Sequence, residues 1–284
     1  MTAMRRPSSG RGGDGLPRMP HGRDRARPPH HRRLRTALAA AMAGLLVGAL
    51  VGCTSPAADS GDDHVDTVDF PTITFNETAV TEREYTQAMR TQRTAAVSHF
   101  SRTYGVTLGT DPEQWTADHD GGNACEWLAH RVIDALLDRH AAYRIAARAG
   151  LVDDDSYEGV EARMKAANEA NARTKRDGDI VYGRSSYDIG SWLDYEATAL
   201  RNAYTADESN PGMALGDDEV QAYYDAHDWT VDGVDGKAPL DKVRGNVKAQ
   251  MRAERYTAIV ADEAAAIDAD VPWDELVGYT LDRI

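Results

Sequence analysis

Residues 127–150 read WLAHRVIDALLDRHAAYRIAARAG and form the most apolar helical pattern in the chain. Apolar side chains recur there every three or four residues, the spacing that places them on one face of an α-helix. Gly150 ends the pattern, since glycine readily adopts the left-handed conformation that follows a helix. We therefore expect this helix at the centre of the core. Its apolar positions are Trp127, Leu128, Val132, Ala135, Leu136, Ala142, Ile145 and Ala149.

Helical patterns also lie on both sides of this segment. Upstream, Thr81 to Glu84 matches the capping box, in which a Thr and a Glu three residues later satisfy backbone donors at a helix start. An apolar stripe follows it and ends at Gly105. Downstream, four further helices are predicted, the last a long one that Pro239 begins. The downstream apolar stripes run from Tyr157 to Ala167, Ile189 to Tyr204, Val220 to Tyr224 and Leu240 to Ile267.

Few other segments predict regular structure. Phe70 to Phe75, FPTITF, has the alternation of a short strand. Thr107 to Gly122 is expected to be a polar loop that Trp115 clasps onto the body, and Asp228 to Ala238 a loop rich in Gly and Asp. For Val271 to Ile284 the pattern leaves a short strand or an irregular closing segment open. The predicted fold class is mainly α, with at most one or two short strands.

The first 52 residues are typical of an export signal. Residues 1–35 contain ten arginines and only two acidic residues, Asp14 and Asp24. An uncharged apolar run of 17 residues follows, from 36 to 52. A membrane-spanning helix needs about 20 apolar residues, so a cleaved signal is favoured over a permanent anchor. Met1 and Met19 both remain candidate starts, and the twin arginine at 32–33 leaves the export route open between the general and twin-arginine systems.

The run ends at Leu50-Val51-Gly52-Cys53, which resembles the bacterial lipobox. In that motif the cysteine thiol is acylated and the peptide bond before it is cut. The resemblance implies lipidation of Cys53 and attachment to the outer face of a bacterial cell membrane. The alternative is a plain signal anchor in which Cys53 has no special role.

Removal of residues 1–52 would leave 22 Lys and Arg against 44 Asp and Glu, a formal charge of −22. So acidic a chain repels phosphate backbones and anionic headgroups, which argues against nucleic acid as a partner. The lipid bilayer is then contacted through acylated Cys53 alone. We divide the chain into a signal at 1–52, a flexible acidic tether at 53–69 and a helical domain at 70–284.

Several segments resemble the chaperone modules of the extracytoplasmic foldases SurA and PrsA. Residues 73–76 and 80–85 look like that family's opening strand, tight turn and first helix, although Asn76-Glu77 stands where Asn-Gly is usual. The segment 149–151 with its acidic continuation and the segment 217–225 look like its later helices. The resemblance implies a helical body in which a long C-terminal helix returns to the N-terminal part.

That family carries a parvulin isomerase domain before the returning helix, and here the eleven residues Asp228 to Ala238 stand in its place. We therefore predict no isomerase activity. Nucleophile elbows, phosphate loops and Cys-His nucleophile pairs are also missing from the sequence. Glu126 and His130 beside Cys125 fall short of the four ligands of a structural zinc site, so neither metal nor cofactor is predicted.

The sequence thus predicts an anchored, non-catalytic chaperone that holds unfolded exported proteins in an apolar groove between helices. The candidate contacts are the aromatic residues Trp115, Trp192, Tyr223 and Tyr224, for which a place in the core is the competing interpretation. The main alternative function is a structural or partner-docking envelope lipoprotein. A solute-binding lipoprotein and an active isomerase fit the helical pattern less well.

Overall fold

The computed structural model describes residues 68–233 and 235–284. These residues belong to one compact unit, Asp63–Ile284. The predicted signal peptide, the lipobox, Cys53 and nearly all of the tether lie outside the described residues. Within the described residues, no helix combines the length and apolarity that crossing a membrane requires.

Helices dominate the described residues, which confirms the predicted mainly-α class. The three strands have two residues each and form one antiparallel sheet in the order β2-β1-β3. The helices are α1 (Glu82–Tyr104), α2 (Pro112–Thr116), α3 (Ala124–Arg148), α4 (Tyr157–Arg176), α5 (Ile189–Ala206), α6 (Asp217–Ala226), α7 (Leu240–Ala265) and α8 (Trp273–Asp282), and the strands are β1 (Thr74–Phe75), β2 (Thr78–Ala79) and β3 (Ala269–Asp270).

Helix α3 is the central element, as the apolar pattern of residues 127–150 predicts. It packs against α1, α2, α7 and α8. Leu128, Val132 and Leu136 are fully buried on its inner face. Burying a side chain of this size stabilises the folded state by about 1.5–3 kcal/mol. The helix begins at Asn123, whose side-chain oxygen accepts a hydrogen bond from the amide of Glu126 at 2.9 Å.

The first hairpin turns through Asn76 and Glu77, both in the left-handed region with φ of 48° and 68°. Two such residues in sequence make the tight turn that matches strand twist, and of these two residues only Asn favours that conformation. Hydrogen bonds to Asp268, which is distant in sequence, stabilise the turn. The amide of Asn76 donates to the carbonyl of Asp268 at 2.7 Å, and its side-chain oxygen accepts from the amide of Asp268 at 3.0 Å.

The C-terminal segment differs from its prediction, because residues 273–282 form helix α8 instead of a strand or an irregular segment. Leu276, Tyr279 and Thr280 are buried at helical spacing, so the segment gains its stability by covering α1 and α3. The hydroxyl groups of Tyr85 and Thr280 lie 2.6 Å apart, and the hydroxyl of Tyr279 donates to the carboxylate of Glu82 at 2.7 Å.

The polar loop from Thr107 to Gly122 also holds a helix that was not predicted, α2, capped by Asp111. Trp115 on this helix is fully buried. Its indole nitrogen donates to the carbonyl of Gly109 at 3.0 Å, and the guanidinium of Arg93 lies over its ring. Trp115 therefore fastens the loop to the body, as the sequence suggested.

Helix α7 links three apolar clusters along its length. Its first half packs on α6 through Val243 and Val247, its middle reaches α5 through Tyr256, and its end joins the main core at Ala264. The long helix thus does return to the N-terminal part of the domain. Glu263 of α7 fixes this helix to α3. Its carboxylate oxygens accept two hydrogen bonds from the guanidinium of Arg148, at 2.5 and 2.9 Å, and one of them lies 3.4 Å from Nε of Arg144.

We expect Glu263→Gln to lower the free energy of unfolding by about 1 kcal/mol near pH 7, since Arg148 is half exposed. The hydrogen bonds from Arg148 lower the pKa of Glu263 below its ordinary value. A carboxyl group with a lowered pKa stabilises the fold above its ordinary pKa, near 4.5, and stops doing so as the pH falls through its native pKa. Urea denaturation near pH 7 and pH 3 should show the difference between variant and wild type shrinking with acid.

The matched control is Asp262→Asn, since Asp262 is exposed and makes no ion pair with a described residue. Its denaturation midpoint should stay unchanged. A loss of stability in Glu263→Gln that is equally large at both pH values would contradict the ion-pair explanation.

Candidate functional site

A groove runs between α5 and α7 above α3, and we call it the α5–α7 groove. One part, of about 320 Å³, reaches down to Ala142 on α3. A second part, of about 530 Å³, lies between α5 and α7 alone, and Arg201 lines both parts. The groove is lined by Asp138 and Ala142 of α3, by Ala197, Thr198, Arg201, Asn202, Thr205 and Ala206 of α5, and by Gly245, Lys248, Ala249, Arg252, Ala253, Tyr256, Thr257, Val260 and Ala261 of α7.

The groove exists because α5 meets α7 closely at one place. Tyr204 packs on Tyr256 with ring centroids 5.4 Å apart, and its hydroxyl donates to the carbonyl of Pro211 at 3.2 Å. Away from that contact both helices present small side chains. On α7 every fourth residue from Gly245 to Ala261 is Gly, Ala or Thr, and these residues are exposed. An occupant could therefore bring its backbone close to α7.

The part of the groove that lies between α5 and α7 alone is positively charged. Arg201, Lys248 and Arg252 line it, and no carboxylate does. Arg252 donates to Glu208 and to the carbonyl of Met213, whereas Arg201 and Lys248 pair with no carboxylate among the described residues. The part that reaches α3 is lined by Asp138 as well as Arg201, and burial and the nearby Asp134 raise the pKa of Asp138. The excess of positive charge is therefore confined to the part between α5 and α7.

A second surface comprises exposed residues of the segment between α4 and α5 and of the first half of α5, and we call it the arm tip. It exposes Ile180, Tyr182 and Tyr195, with 73%, 90% and 52% of each residue accessible. Tyr187 supports it by packing its ring 5.2 Å from both Trp192 and Tyr195. Large exposed apolar side chains that lie together are typical of binding surfaces.

A third cavity, of about 300 Å³, lies beside a buried hydrogen bond. Glu84 is only 2% exposed, and one of its carboxylate oxygens lies 2.9 Å from Nε2 of His140. The hydroxyl groups at the edge of the cavity already cap helices, Thr81 for α1 and Ser156 for α4. The contact between Glu84 and His140 therefore joins α1 to α3.

One comparison with known proteins places these surfaces in a functional context. A protein of Bifidobacterium longum subsp. longum, named chaperone for lacto-N-biosidase, is 56% identical over 216 residues, which cover 76% of this chain and 76% of that protein. This chain belongs to the same chaperone family. No protein-family model matches the chain, and no solved structure matches it.

Membership of the chaperone family implies a non-catalytic role, because a chaperone acts by binding. The metal candidates of the sequence have other contacts. His130 stacks on Trp273 at 3.8 Å, and burial raises the pKa of the Cys125 thiol to about 12, so that it stays protonated. Among the described residues, no three His, Cys, Asp or Glu side chains come together in a metal-binding group.

The four aromatic residues predicted as contacts all make internal contacts in this member of the chaperone family. Trp115 is fully buried, and Trp192 is 7% exposed between α3, α4 and α5. Neither ring is therefore open to a client in this conformation. Tyr223 donates to Glu254, and Tyr224 donates to the carbonyl of Ala238 at 2.8 Å, so both fasten loop and helix to α6. Both remain partly exposed, and client contact there stays a prediction.

Sequence reasoning missed the residues that make up the groove and the arm tip. The sequence did indicate that Tyr195 is exposed, since it falls outside the apolar stripe from Ile189 to Tyr204. The small residues at every fourth position of α7 were also visible. Nothing local, however, indicated that they face Arg201 across a groove.

Substitution of a buried aromatic residue should lower the free energy of unfolding far more than substitution of an exposed one. Trp115→Ala should lower the free energy of unfolding by about 3–5 kcal/mol, because it leaves a cavity and frees the loop. Tyr182→Ala should change it by less than about 0.5 kcal/mol, because that ring is 90% exposed. Urea denaturation followed by tryptophan fluorescence measures both. A Tyr182→Ala variant destabilised as strongly as Trp115→Ala would contradict the exposed position of the arm tip.

Proposed function

We propose that this protein is the dedicated folding chaperone of one lacto-N-biosidase-type enzyme of the same organism. The observation that carries the proposal is the 56% identity to the chaperone for lacto-N-biosidase, which extends over three quarters of both chains. The sequence alone favoured a general chaperone for unfolded exported proteins. The name of the relative supports one client enzyme instead, and a dedicated client would combine the chaperone prediction with its partner-docking alternative.

The lining of the α5–α7 groove supports a dedicated client. A chaperone for many unfolded chains needs a broad apolar surface, because apolar side chains are what unfolded chains share. Here the groove is lined mainly by Ala, Gly, Thr and charged residues. Such a surface selects by shape and charge, which suits one partner.

Binding alone can then assist folding. A chaperone that prefers the folded or nearly folded client stabilises that state in proportion to the logarithm of its concentration over the dissociation constant. The excess of acidic residues keeps the chaperone itself soluble at the concentration this needs. Kinship with the SurA and PrsA modules stays a prediction, and it would imply the same non-catalytic mode of action.

The decisive experiment is co-expression with the client enzyme. With this chain present, the yield of soluble, active enzyme should rise by about tenfold or more over the enzyme alone, as expected when about 1.4 kcal/mol favours the folded state. The yield is measured as activity and as soluble protein.

Two controls separate a dedicated chaperone from a general one. An unrelated exported glycosidase of similar size should gain nothing from co-expression. The chain should also fail to delay aggregation of chemically denatured model proteins. Equal help to unrelated enzymes would restore the general chaperone of the sequence prediction, and no help to the client would refute the proposal.

We also propose that the chain is a lipoprotein held at the outer face of the cell membrane by acylated Cys53. The support is the lipobox resemblance of residues 50–53 together with the apolar run before it. Acyl chains contribute about 0.8 kcal/mol for each buried CH₂ group, so several chains hold a protein stably. The anchor would keep the chaperone where an exported client emerges.

Cys53→Ser should abolish incorporation of labelled palmitate into the full-length protein. Cys125→Ala is the matched control, because Cys125 is the other cysteine of the chain and is buried. That variant should keep its label. Cys53→Ser protein that still incorporates palmitate would contradict the lipid anchor.

A further inference from the structure

We propose that the α5–α7 groove binds an acidic α-helical segment of the client enzyme, with Arg201 and Lys248 receiving its carboxylates. The inference rests on the proposed function and specifies the chemistry of what the chaperone recognises. Two observations carry it, namely the charges of the groove and the small residues of α7, of which Gly245 is one.

The groove carries positive charge in a protein that is acidic as a whole. Residues 68–284 contain 40 Asp and Glu but only 22 Lys and Arg. Ten of these 22, all arginines, form ion pairs within the described residues. Arg201 and Lys248 are left unpaired although carboxylates are abundant. Both line the same depression, so the groove offers a positive site that is complementary to an acidic partner.

The small residues favour a helix as the occupant. Gly245, Ala249, Ala253, Thr257 and Ala261 lie four residues apart and follow one ridge of α7. Ridges of this spacing receive the matching ridge of a second helix, and small side chains let the two axes approach closely. A partner helix in the groove would place its carboxylates beside Arg201 on one side and Lys248 on the other.

Among these small residues, Gly245 is the one that packing within the chain does not explain. A glycine within a helix costs about 0.5–1 kcal/mol relative to alanine. A Cβ atom added at Gly245 would meet nothing within 4 Å, so packing within the chain does not require glycine there. Close approach of another backbone from outside would explain why no side chain is present.

The first test uses charge reversal in the full-length protein co-expressed with the client. Arg201→Glu/Lys248→Glu should cut the yield of active client by about tenfold, as expected from the loss of two charge-assisted contacts. The matched control is Arg90→Glu/Lys242→Glu, which changes the net charge equally at two exposed residues outside the groove. That control should support the wild-type yield.

Gly245→Leu provides a variant whose folding is not at risk, because the new side chain enters open space. It should keep or raise the thermal midpoint and still cut the client yield, since it fills the groove. If the wild-type chain raises the yield and both groove variants do so equally well, the groove proposal is wrong while the proposed function stands.

The second test does not depend on the client. Its probe is a fluorescein-labelled Ala- and Leu-based helical peptide of about 18 residues with Glu at every fourth position, compared with the same peptide carrying Lys. The acidic body repels the Glu peptide in general, so its binding requires a local cationic site. We expect anisotropy to show binding of the Glu peptide that weakens about tenfold in Arg201→Glu/Lys248→Glu. No binding of the Glu peptide, or binding unchanged in that variant, would overturn the groove assignment even if the client were misidentified.

Discussion

Burial of the inner face of α3 is the constraint on which the rest of the domain depends. Helices α1, α2, α7 and α8 all pack against it, and its side chains at Leu128, Val132 and Leu136 have no solvent contact. Each of those helices is only partly apolar, so none could bury its stripe alone. Eleven of the 25 residues of α3 are buried, and they are spread along nearly its whole length, so several helices can pack against it.

Closure of the two chain ends completes this core. The first hairpin places Asn76 where Asp268 can satisfy it, and β3 then adds to β1. Helix α8 follows and covers Tyr85 of α1. The N-terminal strand and the C-terminal helix therefore stabilise each other, and neither is expected to persist without the other.

The surface of the described residues is characterised by its ion pairs and by two sites where side chains lack a partner. Ten of the 22 Lys and Arg of residues 68–284 are arginines that pair with carboxylates, as Arg148 of α3 does with Glu263 of α7. Arg201 and Lys248 form no such pair with a described residue, and they lie in a groove with small residues. The arm tip exposes apolar side chains instead, with Tyr182 almost fully accessible. In a family of chaperones these two surfaces are where recognition of a client is best sought, because each leaves a favourable interaction unmade.

The sequence by itself determined the helices with a clear apolar period, their caps and the central place of α3. It also determined the acidic charge and the lipobox-like residues before Cys53. Those features are local, since hydrophobic spacing and capping act within a few residues. Only the tertiary structure decided that residues 273–282 form a helix, that Trp192 is closed to a client, and that Arg201 and Lys248 line one groove. Each of these depends on contacts between residues far apart in the chain, and the energy of such contacts cannot be read from either segment alone.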